Sequence, residues 1–181
     1  MMAELPSDVR ARVSDLPEGV FAIVLMTEAH LPEVLAIERA SFPSAWDEAT
    51  FRTELGHDWS RCFVLVREGG AVIGNLIYWS IVGELELLNV ATHPEHRGQG
   101  VGRALVAHMI DAGVRSGAHL ATLEVRRSNA HAVALYERMG FATVAVRPGY
   151  YGDNGEDALV MQRAIPRDSH GNSPGTLKGP P

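Results

Sequence analysis

The stretch Asn89 to Arg103, NVATHPEHRGQGVGR, runs from an apolar segment through Gly98, Gly100 and Gly102 into an amphipathic pattern. That order reads as strand, loop and helix. Glycines let a main chain approach a bulky anion closely. The unpaired N–H groups and dipole of a helix start then hold the anion without side-chain help. A diphosphate is the natural guest, although the same glycines also suit a tight strand-to-helix turn with no ligand. A dinucleotide fingerprint fits poorly, because the glycines read G-x-G-x-G and lie halfway along the chain. A Walker loop fails for want of Gly-Lys-Ser/Thr. Lys178 is the sole lysine and lies in a Pro, Gly and Ser stretch, so no lysine clamp or Schiff base is available to the folded part.

Other residues invite chemistry less directly. Glu124 sits between Leu123 and Val125 in a strand pattern, and alternation turns it to the opposite face. A carboxylate there belongs either in a polar cleft or simply outside. Glu86 occupies a comparable place on the preceding strand. Tyr136, beside Leu135 and Met139, suits a core aromatic, and Asn129 suits a helix N-cap. Cys62 reads as a small core residue. His93 and His96 share H-x-x-H spacing, but Pro94 intervenes and no third ligand stands nearby, so no metal site is expected.

Strands and helices alternate around these residues. Strands are expected at Val20 to Met26, Cys62 to Arg67, Ala71 to Trp79, Glu84 to Ala91, His119 to Val125, Phe141 to Val146 and Ala158 to Met161. Helical spacing links Leu31, Val34, Leu35 and Glu38, and Asp47 is placed to cap a second helix holding Phe51 and Leu55. A third helix carries Val101, Leu105 and Met109, and a fourth carries Ala132, Leu135, Tyr136 and Met139 before Gly140 ends it. The last two strands are joined by an expected loop with Gly149, Gly152, Asn154 and Gly155. The fold class is α/β, a mixed sheet of about seven strands with four helices on its faces.

The chain of 181 residues is 46% hydrophobic, enough for one domain to bury its core without disulfides or metal. Residues 1–19 read as a flexible leader, 20–165 as the domain, and 166–181 as a disordered tail. Cys62 is the single cysteine, which excludes a disulfide framework and fits a reducing compartment. No apolar run approaches the roughly 20 residues that span a bilayer, and no signal peptide is readable, so a cytoplasmic protein is expected. A net charge of -6 argues against direct nucleic-acid binding and suits a cationic partner.

Arg97-Gly98-Gln99-Gly100-Val101-Gly102 resembles the R/Q-x-x-G-x-G/A pyrophosphate loop of the GNAT acetyltransferases, following a strand that ends at Val90-Ala91-Thr92. Leu123-Glu124-Val125-Arg126, Ser128-Asn129-Ala130 and Ala134 to Phe141 look like the paired second motif of that family. Ser41-Phe42-Pro43 with Trp46, Tyr150-Tyr151 and Glu156-Asp157-Ala158 are similar to its bacterial ribosomal-protein alanine N-acetyltransferases, the RimI group. One departure is Thr92-His93, where the familiar pattern has Val-Asp.

The resemblance implies a GNAT fold and acetyl-CoA as acetyl donor, with direct transfer to an amine and no acyl-enzyme. It implies that Val90, Ala91, Thr92, Arg97 to Arg103 and Asn129 hold the donor. It also implies that Glu124 is the general base, acting through a water, and Tyr136 the general acid. Other branches of the family carry their base at the position of Glu86. The implied acceptor is the N-terminal alanine of a protein, namely small-subunit ribosomal protein S-eighteen. A small amine or lysine acceptor is the alternative, as is a non-catalytic CoA-binding module. Proton chemistry favours the first: an α-amine has a pKa of about 7.7–8.0 against about 10.4 for lysine.

Overall fold

The computed structural model describes Leu16 and residues 21–166. The expected leader and tail lie almost wholly outside them. The elements run β1 (Phe21–Leu25), α1 (Leu31–Ser41), α2 (Glu48–Gly56), β2 (Ser60–Arg67), β3 (Val72–Ile81), β4 (Glu84–Thr92), α3 (Val101–Ser116), β5 (Leu120–Arg126), α4 (Ala130–Arg138), β6 (Ala142–Tyr151) and β7 (Glu156–Ala164). Asp47 caps α2 by accepting from the Thr50 N–H, and Gly140 follows α4 at φ 84°. Both termini were expected from residue type.

The seven strands form one sheet in the order β1-β2-β3-β4-β5-β7-β6. β4 and β5 are the parallel pair, and every other neighbour is antiparallel. Parallel pairing demands a crossover, which α3 supplies. Its Leu105, Val106, Met109 and Ile110 pack on one face of the sheet against Leu85, Leu87 and Leu123. The other face is covered across β1 to β4 by α1 and α2, where Val34, Ile37 and Phe51 meet Val64, Ile77 and Ala91. Burying such side chains contributes roughly 1.5–3 kcal/mol each, so the sheet is clamped from both sides.

The clamp leaves a gap. β4 pairs with β5 from Glu84↔Leu120 to Leu87↔Leu123. Beyond that point β4 continues to Thr92 beside β3, while β5 continues to Arg126 beside β7. The divergence begins at a bulge: Tyr78 faces Leu87 and Ile77 faces Asn89, which leaves Leu88 as the extra residue. A bulge adds bend and twist, and here it opens a wedge between the C-terminal ends of two parallel strands.

The closing hairpin differs from its sequence pattern. Gly149, Tyr150 and Tyr151 were expected in a loop but belong to β6. The strand absorbs Pro148 and Gly149 (φ 62°) in an irregular stretch between the pairs Arg147↔Ala158 and Tyr151↔Glu156. This is an edge strand, where a missing proline N–H leaves no broken ladder.

Candidate active site

The donor side of the wedge is main chain. The His93 N–H donates to the Ile73 carbonyl of β3 at 2.9 Å. Alternation then turns the polar groups of Ala91 toward β3 as well, and those of Val90 and Thr92 into the wedge. Next comes the glycine loop, with Gly98 at φ 74° and Gly100 at φ 88°, both left-handed. Gly100 is the N-cap of α3. The N–H groups of Gly98, Gln99 and Gly100 find no acceptor among the described residues, and the first-turn N–H groups of Val101 and Gly102 are unpaired by helix geometry. These amides follow one another along the loop and the first turn of α3. Beside them a Cβ at Gly102 would lie 3.5 Å from Leu135 of α4 and 3.7 Å from the Thr92 hydroxyl, so α4 borders the same space.

Arg97 does not point at this cluster. Its guanidinium donates to the Ala40 carbonyl at 2.9 Å, the Ser41 hydroxyl at 3.1 Å and the Thr92 carbonyl at 3.4 Å. It ties the loop to the end of α1. Gln99 donates to the Glu95 carbonyl at 2.9 Å, and Arg103 stands exposed on the first turn of α3. Asn129 caps α4 by accepting from the Ala132 N–H at 3.1 Å. His93 accepts from the Glu95 N–H, and the His96 ring meets the Gln99 side chain.

On the face shared with α1 and α2 the sheet carries an open cleft of about 590 Å³. Glu124 and Thr122 of β5 line it together with Glu84 and Glu86 of β4, Trp79 of β3 and Arg147 of β6. The strand alternation that buries Leu123 and Val125 on the α3 side thus turns Glu124 into a polar cleft. Its Oε1 lies 3.0 Å from Arg147 Nη1, and the Tyr150 hydroxyl is close enough to interact with it. That interaction is the first cause holding the Tyr150 phenol above its ordinary value. Glu86 faces Thr122 across the parallel pair and is exposed, so both acidic candidates share one cleft.

Tyr136 lies in the core at 6% exposure, edge-on to Phe141 at 5.9 Å between centroids. Burial pushes its phenol well above the usual value of 10. Tyr151, pushed up to about 12 mainly by burial, lies close enough to add to that rise. The Arg126 guanidinium lies 3.8 Å over the Tyr151 ring and pairs with Asp153 at 2.7 Å and Glu156 at 3.3 Å. Glu156 is held down at about 2, first by the Ser128 hydroxyl and N–H. Ser44, from the turn after α1, donates to Asp153 at 3.1 Å and so links the α1–α2 turn to the β6–β7 turn.

Several of these partners were missed in the sequence. Arg147 and Tyr150 around Glu124, and Arg126 under Tyr151, are brought in by strand pairing, which no local pattern encodes. Glu38 did leave a signal. It continues the apolar spacing of α1, and at 1% exposure it accepts from Asn89 at 3.0 Å and from the Trp46 N–H at 3.1 Å.

The chain is similar to known acetyltransferases. The Acetyltransferase (GNAT) family matches residues 31–141. The [ribosomal protein bS18]-alanine N-acetyltransferase of Escherichia coli (strain K12) is 38% identical over 137 residues, covering 75% of this chain and 91% of that protein. The N-alpha-acetyltransferase RimI of Mycobacterium tuberculosis is 34% identical over 122 residues, 65% of this chain and 75% of its own length. The crystal structure of the ribosomal-protein-S18-alanine N-acetyltransferase from Escherichia coli superposes with a TM-score of 0.76 at 33% identity, covering 85% of this chain and 99% of that one. The chain belongs to the GNAT family of acetyltransferases.

Proposed function

We propose that this enzyme transfers acetyl from acetyl-CoA to the α-amine of a protein's N-terminal alanine, with ribosomal protein bS18 as the acceptor and the cytoplasm as the place. The observation that carries the reading is the β4–β5 wedge. One side offers the loop amides of Gly98 to Gly102, and the other opens on a cleft containing Glu124. A thioester lying along β4 has its diphosphate at the loop and its carbonyl toward the inward-facing main chain of Val90. Arg97 supports the donor indirectly by fixing the loop, and Asn129 by fixing the start of α4.

The amine nitrogen attacks the thioester carbonyl carbon, and its proton passes to Glu124, directly or through a water. Main-chain N–H groups in the wedge stabilise the oxyanion as it forms. The C–S bond then breaks, the CoA thiolate takes a proton from Tyr136, and the proton held by Glu124 is returned through solvent to the Tyr136 phenolate. The products are the acetylated N-terminus and CoA. The α-amine suits this modest apparatus, because ionisation penalises lysine by about 3 kcal/mol more at neutral pH. An acidic cleft also suits the cationic end of a basic protein.

Two peptides test the acceptor. A peptide beginning with alanine is acetylated at its first residue, and the same peptide with a blocked N-terminus and internal lysines is not, as read by mass spectrometry with fragment-ion localisation. Efficient lysine labelling overturns the N-terminal reading. Glu124→Gln lowers kcat by roughly 10²- to 10⁴-fold, whereas Glu86→Gln has a much smaller effect. The reverse ranking moves the base to Glu86.

A further inference from the structure

Arg147 stands out among the residues of the cleft because it contributes a cation to a site built for one. Its Nη1 lies 3.0 Å from Glu124 Oε1. Its side chain is 58% exposed, against 20% for Glu124. Apart from Glu124, its neighbour is the Tyr150 ring, 5.5 Å from the guanidinium carbon. The contrast with Arg126 is informative. Arg126 is 17% exposed, holds two carboxylates and lies 3.8 Å over an aromatic ring, so it is fixed on every side. Arg147 is tethered to one carboxylate at the solvent edge. Its backbone also ends the regular pairing of the edge strand β6, immediately before the irregular Pro148–Gly149 stretch.

We propose that Arg147 is an internal stand-in for the acceptor's ammonium: a displaceable cation that occupies Glu124 until an acceptor replaces it. The proposal rests on Glu124 being the base. A guanidinium stays charged at any working pH, so Arg147 can neither give nor take the reaction's proton. It can only fill the seat beside the carboxylate. An incoming protonated α-amine brings the same charge and comparable N–H donors, so the exchange leaves the cleft's charge unchanged. Because an exposed ion pair is weak, the exchange costs little. Once the α-ammonium has lost one proton to solvent, the neutral amine attacks with its second proton directed to the carboxylate that Arg147 has vacated, and the guanidinium retains its place near Tyr150. In this arrangement Arg147 determines specificity by competition. A neutral ligand gains nothing at Glu124 that offsets its loss of Arg147, whereas a cationic N-terminus does.

The test compares Arg147→Met, which keeps length and removes charge, with Arg147→Lys, which keeps charge. Calorimetry with CoA present gives the Kd of an alanine-initiated peptide, and steady-state kinetics give its KM. Arg147→Met binds the peptide about two- to fivefold more tightly, the scale of one exposed ion pair, with KM for acetyl-CoA and Tm unchanged. Arg147→Lys returns to wild-type affinity. In a Glu124→Gln background the Arg147→Met effect on Kd disappears, because the seat no longer carries charge. Weaker peptide binding in Arg147→Met, or a gain that persists beside Glu124→Gln, overturns the proposal. Neither result touches the assignment of Glu124 as base, which stands or falls on the turnover of Glu124→Gln alone.

Discussion

At the scale of single residues, Tyr136 combines a packing role with a chemical one, and the two can be separated. Its ring belongs to the core beside Phe141, and its hydroxyl has no hydrogen-bond partner among the described residues. Removing the hydroxyl therefore breaks no internal bond. The hydroxyl is not among the fully buried polar atoms left without a partner, so its loss relieves no such penalty and Tyr136→Phe leaves Tm nearly unchanged. As proposed general acid, the same hydroxyl is needed to protonate the leaving thiolate, and kcat falls by roughly 10²- to 10⁴-fold. The pH dependence has a definite sign. Burial raises the phenol's pKa above 10, so the acid stays protonated through neutral and moderately alkaline pH. Its alkaline limb in kcat accordingly lies above pH 10. Thermal unfolding beside a kcat–pH profile checks both halves. A variant that loses several degrees of Tm along with its activity makes Tyr136 a packing residue only.

At the scale of elements, the functional unit is β4, its glycine loop and the start of α3. Gly100 adopts φ 88° and ψ -1° as the N-cap, a conformation that disfavours any side chain and a β-branched one most. Gly100→Val costs roughly 1–2 kcal/mol of local strain. The loop relaxes by moving the amides proposed to bind the diphosphate. Calorimetry should show acetyl-CoA affinity lowered at least tenfold. Gly102→Ala is the control for folding: its Cβ meets Leu135 and Thr92 at 3.5 and 3.7 Å, ordinary contacts that leave stability intact. Wild-type donor affinity in Gly100→Val would remove the loop from the binding site.

This unit was legible in the sequence because all of it is local. Apolar runs, three glycines and a helical stripe occur consecutively, and the Asp47 cap and Gly140 stop are equally local. What connects the unit to the rest was not legible. Arg97 reaches the Ala40 carbonyl, Asn89 reaches Glu38, and Arg147 reaches Glu124 only after the sheet is ordered. The Leu88 bulge that opens the wedge shows no glycine or proline to announce it, since it arises from mismatched pairing with β3. In β6 the opposite happened. Pro148 and Gly149 signal a loop, but an edge strand tolerates them, and the two tyrosines that follow belong to β6.

At the scale of the whole molecule, the sheet serves as a partition that splits at its centre. α3 and its packing cover one face, α1 and α2 cover half of the other, and the uncovered part of that face is the acidic cleft. Glu84, Glu86 and Glu124 line it with Arg147 as the single opposing arginine, and the chain as a whole carries -6. A cleft of one sign draws a ligand of the other and raises the encounter rate, by an amount that falls as salt screens the field. The Debye length shrinks from about 10 Å at 0.1 M to about 3 Å at 1 M, less than the width of such a cleft. For an alanine-initiated peptide with basic residues behind its first position, kcat/KM should therefore fall severalfold as salt is raised over that range. A peptide with neutral residues at those positions should lose much less. The difference lies in acceptor capture, so kcat at saturating peptide stays level for both. Equal salt sensitivity of the two peptides would place the attraction at the α-amine alone, and the wider acidic field would then have no part in recruiting the acceptor.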